Sequence, residues 1–311
     1  MKFPRPQAFF DRSTGTRPAA AIALLAALFS SSAYGADYST PRPLPDYSLR
    51  GTQTPVLREP LYPRWAGLYF GLQGGYSAGS ADMSGATGSQ ISYILANTEL
   101  QGLVSDWTTL APQSSSTQSY GGFIGYNIQW GEVITGVELN YNRMNFRTGG
   151  GDSVGPILVP GANLPDGSTV LYSVTVASNA NIAITDIMTS RVRAGWAYER
   201  MLPYGFVGLA LGRADTSRTA SVTGSKTTQG PADINGVFPA PVFGILNLPR
   251  NPQSESKTGQ VVYGWTAGLG VELGLLPNLF LRAEYEFVQF PEINGIRVTV
   301  NSGRVGVALK F

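Results

Sequence analysis

Neither cysteine nor histidine occurs anywhere in this chain of 311 residues. Without cysteine there are no disulfides, no thiolate metal sites and no lipid anchor on an N-terminal cysteine. Without histidine there is no Ser-His-Asp arrangement, and the commonest metal ligand and general base is missing. Charged residues are sparse, at 14%. Beyond residue 35 no stretch approaches the ~20 consecutive apolar residues of a membrane-crossing helix. Against these shortages stand 38 glycines and 11% aromatics. Many glycines and aromatics without a membrane helix point to strands, and to strands that close on one another.

The first 35 residues read as an export signal rather than as fold. Lys2, Arg5, Arg12 and Arg17 precede an apolar run from Ala19 to Phe29, and small residues follow to Gly35. A basic head, a short apolar stretch and small residues make a secretory signal peptide, with cleavage expected before Ala36. The run is too short for a membrane anchor. The whole chain has 22 basic and 20 acidic residues, of which residues 1–35 hold four and one, leaving 18 against 19. The apparent basicity belongs to the signal, so there is no polybasic case for nucleic acid. Residues 36–64 carry Pro41, Pro43, Pro45, Pro55, Pro60 and Pro63 with little periodicity. They read as an extended proline-rich periplasmic tail, a spacer or a ligand for a periplasmic partner.

From Trp65 the pattern changes to period two. Leu68, Phe70, Leu72, Gly74 and Tyr76 alternate with Tyr69, Gly71, Gln73 and Gly75, a strand signal of the length that crosses a bilayer at a tilt. Seven further segments alternate, most of them clearly: Tyr120 to Trp130, Val133 to Asn142, about Ile187 to Ala197, Leu202 to Arg213, Tyr263 to Leu273, Leu279 to Val288, and a last one through Val305, Val307, Leu309 and Phe311. The segment Leu202 to Arg213 is ambiguous, because glycine and apolar residues fall on both its faces. Short links at Gly131-Glu132, at about Tyr198 to Met201 and at Gly274 to Asn278 alternate with long ones near 79–117, 145–184 and 214–260. A short link at 289–295 completes the set. Tight turns alternating with long loops predict an all-β fold: an eight-stranded antiparallel transmembrane β-barrel over residues 65–311, with short periplasmic turns and long extracellular loops. A soluble sandwich gives no reason for that alternation.

The aromatic residues sort by end. Trp65, Trp130, Trp196, Tyr204 and Phe311 fall at the periplasmic ends, and Tyr76, Tyr120, Tyr141, Tyr263, Trp265 and Phe287 at the outer ends, as two interfacial girdles would. On the same registers Glu138, Arg191, Arg193, Glu272, Arg282, Glu284, Glu286 and Arg304 all face away from lipid. Four acids and four bases in a bore that eight strands leave just wide enough for side chains predict an ion-pair plug. The other reading is a set of charges lining a narrow passive pore.

Several segments resemble a family. Trp65-Ala66-Gly67-Leu68-Tyr69-Phe70-Gly71, Gly121-Gly122-Phe123-Ile124-Gly125-Tyr126-Asn127, Gly136-Val137-Glu138, Arg191-Val192-Arg193-Ala194-Gly195, Gly268-Leu269-Gly270-Val271-Glu272 and Val307-Ala308-Leu309-Lys310-Phe311 look like the small alphaproteobacterial outer-membrane surface antigens. These are relatives of the OmpA transmembrane barrel, grouped as porin-family or opacity-type proteins. The resemblance covers about residues 65–311. It implies an outer-membrane location and a last strand read by the barrel-assembly machinery, a role that would fall to Val307, Leu309 and Phe311. Three loops longer than that pattern, and the proline-rich tail, depart from it.

Gly268-Leu269-Gly270-Val271-Glu272-Leu273-Gly274 partly mimics a dinucleotide loop, but its glycines lie within a strand and another strand follows, where the motif needs a helix. They are better read as relieving crowding inside the barrel. No catalytic cluster, cofactor site or metal site is legible. An acyltransferase or protease would need Ser or carboxylate chemistry at the outer rim, and no such cluster is apparent. Apolar patches at Ile91 to Leu95 and Val237 to Leu248 either bind a partner or fold over the rim, and alternation from Val170 to Val176 suggests strands running past the membrane. The expected role is structural: envelope integrity and surface interaction. The partners would be outer-membrane lipid, lipopolysaccharide and an extracellular ligand of the loops. The alternative is a porin-like channel for small solutes.

Overall fold

A computed structural model describes residues 64–107, 110–161 and 163–311. The expected signal peptide, and the proline-rich tail except Arg64, lie outside the described residues. Among the described residues the elements in chain order are β1 (Gly67–Asp82), α1 (Gly88–Ile94), α2 (Gln101–Val104), β2 (Gln113–Trp130), β3 (Val133–Pro160), β4 (Thr169–Trp196), β5 (Met201–Gln229), β6 (Val242–Ile245), β7 (Gln253–Leu276), β8 (Leu279–Ile293) and β9 (Ile296–Lys310). Each long strand pairs antiparallel with its neighbour, β5 passes over β6 to pair with β7, and β9 returns to β1 from Tyr69↔Lys310 to Asp82↔Arg297. The sheet therefore closes as a ring of eight strands, with β6 a short addition to the outer part of β5. Closure is how an antiparallel sheet can satisfy every backbone group in lipid.

The period-two pattern becomes two surfaces. Leu72 is 76% exposed and Val305 63% exposed, while the alternate residues Tyr69, Gln73 and Arg304 are buried inside. A charge introduced on the outer face would stand in hydrocarbon. Val305→Arg is expected to lower stability by about 2–4 kcal/mol, read from urea unfolding in lipid vesicles. A neutral result would mean that Val305 does not face lipid.

The expected long loops are corrected. Most of 145–184 and of 214–260 is strand: β3 and β4 each run 28 residues and β5 runs 29. At ~3.3 Å per residue 28 residues reach ~90 Å, far more than an apolar band of ~25 Å requires. The three strands thus rise beyond the barrel as an arm. Its inner face carries Val174, Val176, Ala220 and Val222, which pack against Ile91, Ile94, Leu95, Leu100 and Val104 from the β1–β2 link. That cover gives the extra strand length an apolar surface to bury. The patch at Ile91 to Leu95 has folded down in this way, whereas Val237, Phe238, Val242, Phe243 and Ile245 remain exposed.

Two links are tighter than expected. β8 continues to Ile293, so the 289–295 link shrinks to Asn294-Gly295, with φ of 52° and 79°. Both values are positive, as a two-residue type I′ hairpin requires, and Asn-Gly meets the demand cheaply. The link expected at Gly274 to Asn278 is only Pro277-Asn278, because β7 runs to Leu276.

Two girdle assignments are also corrected. Trp65 is 2% exposed and Tyr204 5% exposed, and both belong to an inner aromatic cluster with Tyr69, Phe123, Phe206 and Phe280. Tyr204 turns inward because Leu202, Tyr204 and Phe206 alternate on the lumen side of β5, and Gly268 and Gly270 on β7 leave space for the two larger rings. Trp65 packs edge-on against Phe280 at 5.7 Å. The remaining girdle aromatics point outward: Trp130, Trp196, Phe311, Tyr76, Tyr120, Tyr141, Tyr263 and Trp265 are exposed. Phe287 lies half-buried against Trp265.

Candidate functional site

Inside the ring the side chains form three layers. Nearest the short turns is the aromatic cluster of Trp65, Tyr69, Phe123, Ile134, Leu202, Tyr204, Phe206 and Phe280. Toward the other end Phe146, Ile182, Ile184, Ile187, Val262, Val288, Phe290, Val298 and Val300 make a second apolar layer. The charges lie between.

All eight charged residues expected in the lumen meet there, and none is more than 5% exposed. Glu138 on β3 is the hub. Its Oε1 lies 2.5 Å from Arg191 Nη2, and its Oε2 lies 2.7 Å from Arg282 Nη2 and 3.3 Å from Arg193 Nη1. Glu272 joins Arg193 at 2.8 Å and Arg282 at 2.6 Å. Glu284 reaches Arg191 at 2.7 Å and Arg304 at 3.5 Å. Glu286 reaches Arg304 at 2.6 Å and Arg191 at 3.3 Å. Every carboxylate thus has at least two guanidinium partners. Strand register explains part of the assembly: Glu138 is directly opposite Arg191, Glu272 opposite Arg282, and Glu284 opposite Arg304. The contacts across the bore, such as Arg282 to Glu138, come only from closing the ring.

The aromatic layer forms part of the same site. The guanidinium of Arg191 stacks on Phe206 at 4.0 Å, that of Arg193 on Tyr204 at 3.8 Å and that of Arg282 on Phe123 at 3.8 Å. A planar guanidinium can fork to two carboxylates while resting on a ring, and an ammonium cannot. Three of the four lumen arginines, Arg191, Arg193 and Arg282, use both abilities at once. Tyr69 donates its hydroxyl hydrogen bond to Glu138 Oε2 at 2.6 Å and accepts one from Arg193 at 3.1 Å. Gln73 donates to Asn140 at 2.6 Å and to Asn142 at 2.7 Å, extending the polar layer. Sequence reasoning put Tyr69, Gln73, Asn140 and Asn142 on the inner face without assigning them to the network. Inward glycines opposite large rings, such as Gly125 against Tyr69, were the available signal.

Beyond the upper apolar layer a polar clasp ties the mouth together. Arg218 on β5 donates to Ala86 O at 2.8 Å and to Asn294 O at 2.9 Å, and it pairs with Glu255, which Lys257 also reaches at 2.7 Å. Hydrogen bonds from Lys257 and Arg218 hold the Glu255 carboxyl below its ordinary pKa.

The family model described as the outer membrane protein β-barrel domain matches residues 64–311. The 25 kDa outer-membrane immunogenic protein of Brucella ovis is 31% identical over 129 residues, a stretch covering 38% of this chain and 61% of that relative. Similar solved structures include Ail, the attachment invasion locus protein of Yersinia pestis, with 11% identity, coverage of 79% of this chain and 99% of that one, and a TM-score of 0.33. Neisserial surface protein A has 15% identity, covers 78% and 97% respectively, and scores 0.32.

Proposed function

Because this chain belongs to the outer membrane protein β-barrel domain family and resides in the outer membrane, we propose that it is a closed structural barrel whose lumen is plugged, serving envelope integrity while its arm meets the exterior. The observation that carries this reading is the stacking of a charged layer between two apolar ones inside a single bore. A channel needs a continuous path wide enough for water or ions, lined by groups that can stand in for their hydration. Here each carboxylate is bound by at least two arginines, and both ends of the charged layer are covered by aromatic or branched side chains.

The arm supports the surface half of the proposal. It carries the exposed apolar segment through Phe238, Val242, Phe243 and Ile245 far from the barrel wall, and the relative from Brucella ovis is named as immunogenic. Val307, Leu309 and Phe311, on the outer face at the end of β9, would carry the signal for the barrel-assembly machinery. Chemistry is no part of the proposed role.

Planar-bilayer recording tests the plug. The purified barrel is expected to insert and give no stable conductance steps. Reproducible unitary steps would overturn the closed lumen and leave the narrow passive channel in its place.

A further inference from the structure

The wall formed by β3, β4, β5 and β7 has three features stacked along the strand direction on its outer face. At mid-depth small residues leave an apolar groove of about 650 Å³, where Ala194, Gly205 and Ala267 lie between Val192, Val207 and Leu269. Higher on the wall Arg143, Asp186 and Arg213 are directly opposite one another on three successive strands. Higher again is a recess of about 420 Å³ lined by Arg147, Asn181, Asp215, Ser217, Ser256 and Thr258.

The arginine row lies at the level of the outer aromatics. Arg143 is the cross-strand partner of Tyr120, and Arg213 is one outward position above Leu211, which faces Tyr263. Neither Arg143 nor Arg213 makes a hydrogen bond or an ion pair among the described residues. Asp186 between them keeps its negative charge while accepting from the Tyr141 hydroxyl at 2.7 Å and from Thr185 at 2.9 Å, and the arginines Arg143, Arg147 and Arg213 outnumber the acids Asp186 and Asp215 along this wall. Asp215 likewise accepts from the Gly259 N–H at 2.6 Å. The guanidinium of Arg213 lies over Gly259, so the side chain reaches away from the bilayer centre.

Spacing relates the groove to the row. Six residues separate Val207 from Arg213, about 20 Å along the strand at ~3.3 Å each. At a tilt near 40° that is ~15 Å of depth, half of a ~30 Å hydrocarbon core. An acyl chain lying in the groove would therefore carry its headgroup to the two unpaired arginines. Planar guanidinium groups are suited to phosphate. The hydroxyl- and amide-lined recess just above them is suited to sugar.

We propose that this wall is a binding site for a phosphorylated, acylated glycolipid of the outer leaflet. Its chain occupies the Ala194–Gly205–Ala267 groove, its phosphate lies between Arg143 and Arg213, and its sugar enters the recess beside Arg147. The order apolar, cationic, polar along one wall matches the order chain, phosphate, sugar in the lipid. The site rests on the outer-membrane location and not on the closed lumen.

Native mass spectrometry of the full barrel released from nanodiscs containing bisphosphorylated lipid A and phosphatidylethanolamine tests the site. Wild type is expected to retain lipid A selectively. The Arg143→Ala/Arg213→Ala double variant and the groove-filling Ala267→Trp variant should each lose that retention by about tenfold. Heat-modifiable migration on gels shows that each variant is folded. Inorganic phosphate at high concentration should not displace the lipid. Equal retention of both lipids by wild type, unchanged retention in the double variant, or displacement by inorganic phosphate would each overturn the proposal. Loss of selectivity in a barrel that stays electrically silent counts against this site alone, and conductance with retention intact counts against the plug alone.

Discussion

Glu138→Ala is expected to destabilise the barrel by about 3–5 kcal/mol or more, measured as the loss of unfolding free energy in urea with the protein in lipid vesicles. The carboxylate is the hub of three guanidinium groups, from Arg191, Arg193 and Arg282, and also accepts from Tyr69. Its removal leaves three cations facing one another in a buried layer between two apolar ones, where water cannot readily replace the lost partner. The size of the effect reports the cost of orphaned charge rather than the net worth of the ion pairs. A buried pair replaced by well-packed apolar groups can be neutral. The double substitution Glu138→Ala/Arg191→Met is therefore expected to recover part of the loss, a coupling that a double-mutant cycle would quantify. If Glu138→Ala cost less than about 1 kcal/mol, the lumen charges would have to be exposed to solvent, and the plug would fail as an account of them.

Phe290→Ala is expected to cost a similar ~3–5 kcal/mol by a different mechanism. Phe290 is fully buried in the upper apolar layer, and its ring packs over Gly212 and Gly264 on two neighbouring strands. Those glycines have no side chain that can move into the space, so truncation leaves a cavity. The same urea titration measures it. Phe290→Leu should restore most of the loss, and failure to do so would show that the ring is not what fills the layer. Conductance is expected to stay absent in Phe290→Ala, because the charged and aromatic layers below are intact.

The inside and outside of the wall were legible because lipid imposes a strict rule. Along β9, Arg304 alternates with Val305 and Val307, and only one assignment keeps the arginine out of hydrocarbon. The same rule put all eight lumen charges on one surface. It failed at Trp65 and Tyr204 because an aromatic ring is acceptable in either environment. Their orientation depends on whether the opposite strand offers room, and at Tyr204 the room comes from Gly270, more than sixty positions away. The arm was half legible. Alternation from Val170 to Val176 signalled continued strand, but the surface that covers it comes from residues 91–104, whose link to those strands is not encoded in any local pattern.

Composition and periodicity alone determined that this protein is a lipid-facing antiparallel sheet with a charged interior, since each strand must choose a face for its greasy residues and the choice repeats every second position. Only the tertiary structure decided who meets whom across the bore. Pairing of β3 with β4 sets Arg191 and Arg193 beside Glu138, but the arrival of Arg282 there from β8, the rings beneath and the apolar layer above exist because the ring closes at β1 and β9. Period two gives direction to a side chain; closure gives it partners.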